Sequence, residues 1–143
     1  VSLFPEIDET ETINNVVEYF ERDFPRLIAQ SHLNLSYIQS PKFDVIGGGG
    51  GTRNSQEDKL VDHISAPEYV KATMRLINNC PDTYRTILKY KYVYGRSSLE
   101  VTDMVGYGQT RYNELRKQAL LYFADAFMDF EDLHIYLSSK ATY

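Results

Sequence analysis

Apolar residues recur along this chain at helical rather than alternating intervals. Between residues 9 and 31, Ile13, Val16, Val17 and Phe20 form one apolar stripe at helical spacing. Asp8 is placed to cap this helix, and Glu11, three positions on, to complete a capping box. Pro25 is expected to kink or restart it, because the ring blocks an interior hydrogen bond. Leu27 and Ile28 continue the apolar face beyond. A second helix is predicted near 66–79, with Ser65 as cap, Pro67 in the first turn, and Tyr69, Val70, Met74, Leu76 and Ile77 on its apolar side. Pro81 and Asp82 open another, through about Tyr92, that buries Tyr84, Ile87, Leu88 and Tyr92. Gly95 is its expected left-handed end. Ser97 or Ser98 then caps a short helix to Val105, Gly106 turns the chain, and a long helix runs from Gln109 to Phe127. No strand alternation and no internal repeat is visible. The predicted fold is an all-α helical bundle.

Residues 40–58 interrupt this pattern. Five successive glycines, Gly47 to Gly51, are costly to order and offer no side chain to pack. A phosphate cradle would need Gly-Lys-Ser/Thr opening a helix, whereas here the glycines run into Thr52, Arg53 and Asn54. The segment reads as a flexible linker between an N-terminal helical segment, 1–39, and a C-terminal helical domain, 59–143.

The stretch 97–127 carries more than periodicity. Val101 and Val105 lie one turn apart, and Thr102 supplies a small residue where two helices would approach. Gly106 suits a sharp turn. Tyr112 and Leu115 then point back at the valines, and Ala119, Leu120 and Phe123 carry the stripe onward. Two short helices with a tight turn between them match a helix-turn-helix, whose second helix enters the DNA major groove. With Tyr112 and Leu115 inward, Gln109, Thr110, Arg111 and Asn113 become candidates for base contact. Gln and Asn pair with adenine edges and Arg with guanine. Arg96, Arg116 and Lys117 are candidates for phosphate contact, which sets register and adds salt-dependent affinity.

Charge changes the picture only through its distribution. The net charge is −5, unusual for a DNA binder. Yet residues 85–117 hold seven Lys and Arg against three Asp and Glu. Residues 1–80 hold seven basic against twelve acidic residues, a surface suited to a basic partner. The one cysteine, Cys80, can form no internal disulfide and fits a reducing cytoplasm. His32, His63 and His134 are scattered without ligand spacing, so no metal or other cofactor is expected. No apolar run reaches the length of a membrane span, and no leader opens the chain. There is no constellation of nucleophile, base and orienting group, which leaves an enzyme the least supported class.

The segment TYRTILKYKYVYGRSSLEVTDMVGYGQTRYNELRKQALLYF resembles region four of the bacterial sigma factors. An aromatic-rich helix ends near Gly95, a short helix contains Leu99-Glu100-Val101, Gly106-Tyr107 follows, and a recognition helix contains Arg116, Lys117, Ala119 and Leu120. Nearly the whole chain is similar to the ArpU family, through LFPEIDETETINNVVEYF, SPKFDVIGGGGGTRNSQEDKLVDHI and GYGQTRYNELRKQALLYFADAF. Those are phage-encoded transcriptional regulators of Gram-positive hosts, also called autolysin regulatory proteins. The resemblance implies control of late phage genes for packaging or lysis, through a C-terminal helix-turn-helix, in the host cytoplasm. Gly108 and Gln109 depart from the pattern, since related motifs often place a serine cap there.

The expected partner is therefore double-stranded DNA. Bacterial RNA polymerase and a second copy of the chain are further candidates, and a membrane is not. Two other functions stay open: a polymerase-binding module without strong DNA binding, and a small terminase-like subunit that recognises DNA for packaging. The stripe of Ile13, Val16, Val17 and Phe20 is read as core before dimer seam.

Overall fold

A computed structural model describes residues 3–33 and 64–137. The expected linker, 40–58, lies outside the described residues. The chain is all-α. Among the described residues the order is α1 (Glu9–Glu18), a π-helical turn (Tyr19–Asp23), α2 (Phe24–Ser31), α3 (Ala66–Asn78), α4 (Asp82–Thr86), a second π-helical turn (Ile87–Val93), α5 (Ser98–Val105) and α6 (Gln109–Phe127). None of these helices is long and apolar enough to cross a membrane.

Local chemistry accounts for most of the boundaries. The Asp8 carboxylate accepts from the Glu11 N–H at 3.1 Å and starts α1. The expected reciprocal half of the capping box is replaced, because the Asp8 N–H donates to the Ile135 carbonyl at 2.7 Å. Pro25 sits in the first turn of α2. It cannot donate back along the helix, and the chain meets it with a widened turn in which the Phe24 N–H reaches the Tyr19 carbonyl. Glu68 accepts from both the backbone N–H and the hydroxyl of Ser65, at 3.1 and 3.2 Å, and fixes the start of α3. Nothing comparable explains the second π-helical turn, which has no proline beside it.

The core is shared by both described segments. α1 packs on α6, α2 on α3, and α3 and α4 on α6. Val16, Phe20, Phe24, Val70, Ile77, Ile87, Leu88, Val101, Leu120, Phe123 and Phe127 are buried together. The stripe on α1 is thus core, joined by two polar residues that hydropathy does not flag. Thr12 and Tyr19 are both buried; the Tyr19 hydroxyl lies 2.7 Å from the Thr73 hydroxyl on α3. Aromatic rings dominate the centre. Phe123 lies 4.9 Å from Phe20 and 5.0 Å from Phe127 between ring centroids, in the range where rings attract.

The tail folds back. Residues 133–137 lie along the start of the chain, with an isolated antiparallel bridge between Ile7 and Tyr136. The Ile135 N–H donates to the Thr12 hydroxyl at 3.0 Å and the Asn15 amide to the Leu133 carbonyl at 2.9 Å. These bonds satisfy backbone groups that no helix serves.

Candidate nucleic-acid interface

α5 and α6 are joined by Gly106, Tyr107 and Gly108. Ser97 caps α5: its hydroxyl accepts from the Glu100 N–H at 3.1 Å, and Glu100 accepts from the Ser97 N–H at 3.2 Å. Gly106 closes the helix with φ 80°, a conformation that side chains with a Cβ rarely adopt. Gly108 then precedes α6 in an extended conformation and gives it no side-chain cap. The first turn of α6 therefore presents backbone N–H groups that no side chain occupies.

Two residues fix which way α6 faces. Tyr112 is 1% exposed and Leu115 is 7% exposed. Both turn into the core with Val101, while Val105 packs against its edge. Gln109, Thr110, Arg111 and Asn113 are all exposed in the same turns. At about 3.6 residues per turn Gln109, Thr110 and Asn113 share one solvent face, and Arg111 flanks it beside Leu115. Arg111 is not idle there, since it donates to Glu114 at 3.0 Å. Both partners are about half exposed, so water screens the pair and it holds Arg111 only weakly.

The three candidate phosphate contacts divide. Arg96 and Lys117 are exposed. Arg116 is half-buried and donates to the Tyr92 hydroxyl at 3.0 Å. Burial pushes the Tyr92 hydroxyl above its ordinary pKa, and the Arg116 guanidinium opposes that shift. The Tyr92 ring lies 5.7 Å from Phe20, and the Lys91 ammonium sits 5.7 Å from the Tyr92 centroid. Tyr84 likewise donates to Gln118 at 3.1 Å. Tyrosines of the preceding helical segment thus brace α6 along its flank. Apolar periodicity misses these bonds because they engage the polar edge of α6. The aromatic richness of 84–94 is the one sequence signal for them.

One buried polar atom stands out beneath this face. The Tyr112 hydroxyl meets no hydrogen-bonding partner among the described residues. Cys80 is buried, and burial lifts its thiol to about 11, well away from the reactive thiolate range. Among the described residues no group of His, Cys, Asp and Glu is arranged to hold a metal ion.

The sequence comparison bears on this geometry. The chain is 28% identical over 130 residues to a protein of Streptococcus phage O1205 named "Putative autolysin regulatory protein ArpU". The match covers 87% of this chain and 93% of that relative. No family model matches the chain, and no solved structure matches it. The similarity supports the ArpU resemblance across nearly the full length of both chains. It says nothing of which side chains touch DNA.

Proposed function

We propose that this protein is a phage transcriptional regulator that binds promoter DNA through α5 and α6, acting as a helix-turn-helix of sigma region-four type. The single observation that carries this reading is the orientation of α6. Tyr112 and Leu115 are buried, and Gln109, Thr110, Arg111 and Asn113 are exposed at the start of the helix. An exposed, uncapped helix N-terminus with short polar and basic side chains suits a major groove. Gln109 and Asn113 read adenine edges and Arg111 reads guanine, once it leaves Glu114. Arg96 and Lys117 contact phosphates, and Arg116 does so secondarily, from its bond to Tyr92. The similarity to an autolysin regulatory protein favours late genes for packaging or lysis as the targets, and the bacterial cytoplasm as the place.

A second reading, a module that docks on RNA polymerase with weak DNA binding, is favoured by the net charge of −5. The two separate in a binding titration. Fluorescence anisotropy with fragments of the phage genome is expected to find one fragment bound specifically. Its affinity should fall steeply with salt, as several phosphates release counterions. Salt-insensitive or sequence-blind binding would exclude the first reading.

A further inference from the structure

At the far end of α6 the surface reverses in character. Phe4, Pro5 and Ile7 from the start of the chain, Met128 just past α6, and Tyr136 from the tail line a cavity of about 390 Å³, with Asp125 and His134 at its wall. Phe4 is 71% exposed and Met128 44% exposed, large apolar groups that a soluble surface rarely groups around one opening. The floor is braced. The His134 ring is held between Asp132, 2.6 Å from Nδ1, and Asp125, 2.8 Å from Nε2. Asp132 in turn accepts from the Tyr136 hydroxyl at 2.5 Å. Asp125 keeps its carboxylate 78% exposed while one oxygen serves His134.

The stretches of chain that line this opening are acidic, with His134 as their one basic side chain. Residues 3–11 and 125–137, which pair with each other, carry eight Asp and Glu and no Lys or Arg. Like charge therefore repels DNA from this end, and repels a symmetric contact with the same end of a second copy. An apolar opening with the exposed Asp125 carboxylate at its wall, in acidic stretches of chain, is complementary to an apolar side chain flanked by Lys or Arg.

We infer that this groove docks a basic, apolar-anchored segment of a partner protein. One apolar side chain enters between Phe4, Ile7 and Met128, and a neighbouring Lys or Arg meets Asp125. Met128 lies 15 residues beyond Asn113, about 22 Å at the rise of a helix. The groove and the candidate DNA face are thus far enough apart to be occupied together. The inference does not depend on DNA binding, and either can fail alone.

The test uses the full chain and a panel of fluorescein-labelled peptides of about twelve residues, each carrying one Leu, Phe or Met among Lys and Arg. The same peptides with Glu in place of Lys and Arg serve as controls. The basic peptides are expected to bind and the acidic ones not. Met128→Lys, at an exposed position, should weaken binding about tenfold or more, with an unchanged melting curve. The inference is overturned if no basic peptide binds, or if binding to Met128→Lys equals that of the parent. It is also overturned if peptides bind only after residues 138–143 are removed, which would assign the groove to the chain's own end. Concentration-dependent self-association that Met128→Lys abolishes would assign it to a second copy instead, with the same result.

Discussion

The two halves of α6 are one continuous helix with opposite duties. From Gln109 to Lys117 it buries only Tyr112 and Leu115. From Gln118 to Phe127 it buries Ala119, Leu120, Phe123, Ala124 and Phe127. The second half is a post set into an aromatic core, and the first half is the part of that post left above it. Such a division lets the exposed face vary in sequence without loss of fold, because its packing energy is supplied elsewhere. It also makes the halves separable by mutation.

The largest expected effect lies in the anchored half. Phe123 touches Tyr19, Phe20 and Phe127 and is fully buried. Phe123→Ala should cost about 3–5 kcal/mol and unfold a large fraction of the molecules. Chemical denaturation followed by far-UV circular dichroism would measure it. A loss below about 1 kcal/mol would mean that the aromatic cluster is not the anchor.

The opposite result is expected from the presenting half. Arg111→Ala and Asn113→Ala should each reduce discrimination between the specific site and a mismatched one by about 1–3 kcal/mol, while the melting curve stays that of the parent. Anisotropy titrations on both DNAs give the difference directly. If both variants bind like the parent, α6 meets DNA by some other face. Lys117→Ala should instead weaken all sequences alike and lower the salt slope by about 1.

These contrasts show why parts of the molecule were legible in its sequence. The helices 97–127 could be read because their signals are local. Ser97 and Glu100 cap within one turn, Gly106 supplies its own φ, and Tyr112, Leu115, Ala119 and Phe123 keep step with a 3.6-residue period. The kink at Pro25 was legible for the same reason. Its form, a widened turn, was not, and neither was the second widened turn at Ile87–Val93. Thr12, buried against the tail, and His134, held between two aspartates, depend on residues far away or on a turn that periodicity does not describe. Such contacts leave no mark in hydropathy. The base-reading assignments rest on the exposed face alone, which the sequence suggested through the two inward residues it placed correctly.

The tail clamp offers a pH test of the anchored end. Burial alone would lower the His134 pKa, but its bonds to Asp132 and Asp125 outweigh burial and raise it above the ordinary 6.5. A raised histidine contributes stability that is fully present below 6.5 and is lost as pH rises through the folded value. Burial would raise Asp132, but bonds from Tyr136 and His134 prevail and hold it below the ordinary 3.8. Its contribution is present above 3.8 and fades as pH falls further. The melting temperature should therefore decline as pH rises from 6.5 through the folded value. His134→Gln should flatten that decline while leaving DNA affinity as it was. An unchanged slope above pH 6.5 in the variant would remove His134 as its source.

The smallest effect comes from beneath the presenting half and has an unusual sign. The Tyr112 hydroxyl is buried without a partner among the described residues, although the ring itself packs in the core with Val101 of α5. A buried polar atom deprived of water and unpaired costs about 1–3 kcal/mol, whereas the ring contributes by packing. Tyr112→Phe keeps the packing and removes the cost, so the variant should match or exceed the parent in stability by up to about 1 kcal/mol. Tyr112→Ala, which removes both, should destabilise strongly. DNA affinity should not change in Tyr112→Phe, because the hydroxyl is buried whereas Gln109 and Asn113 are exposed. A clear loss of stability in Tyr112→Phe would show that the hydroxyl has a bonding partner in solution. A loss of DNA affinity at unchanged stability would place Tyr112, and with it the register of the whole presenting half, on the wrong side of the helix.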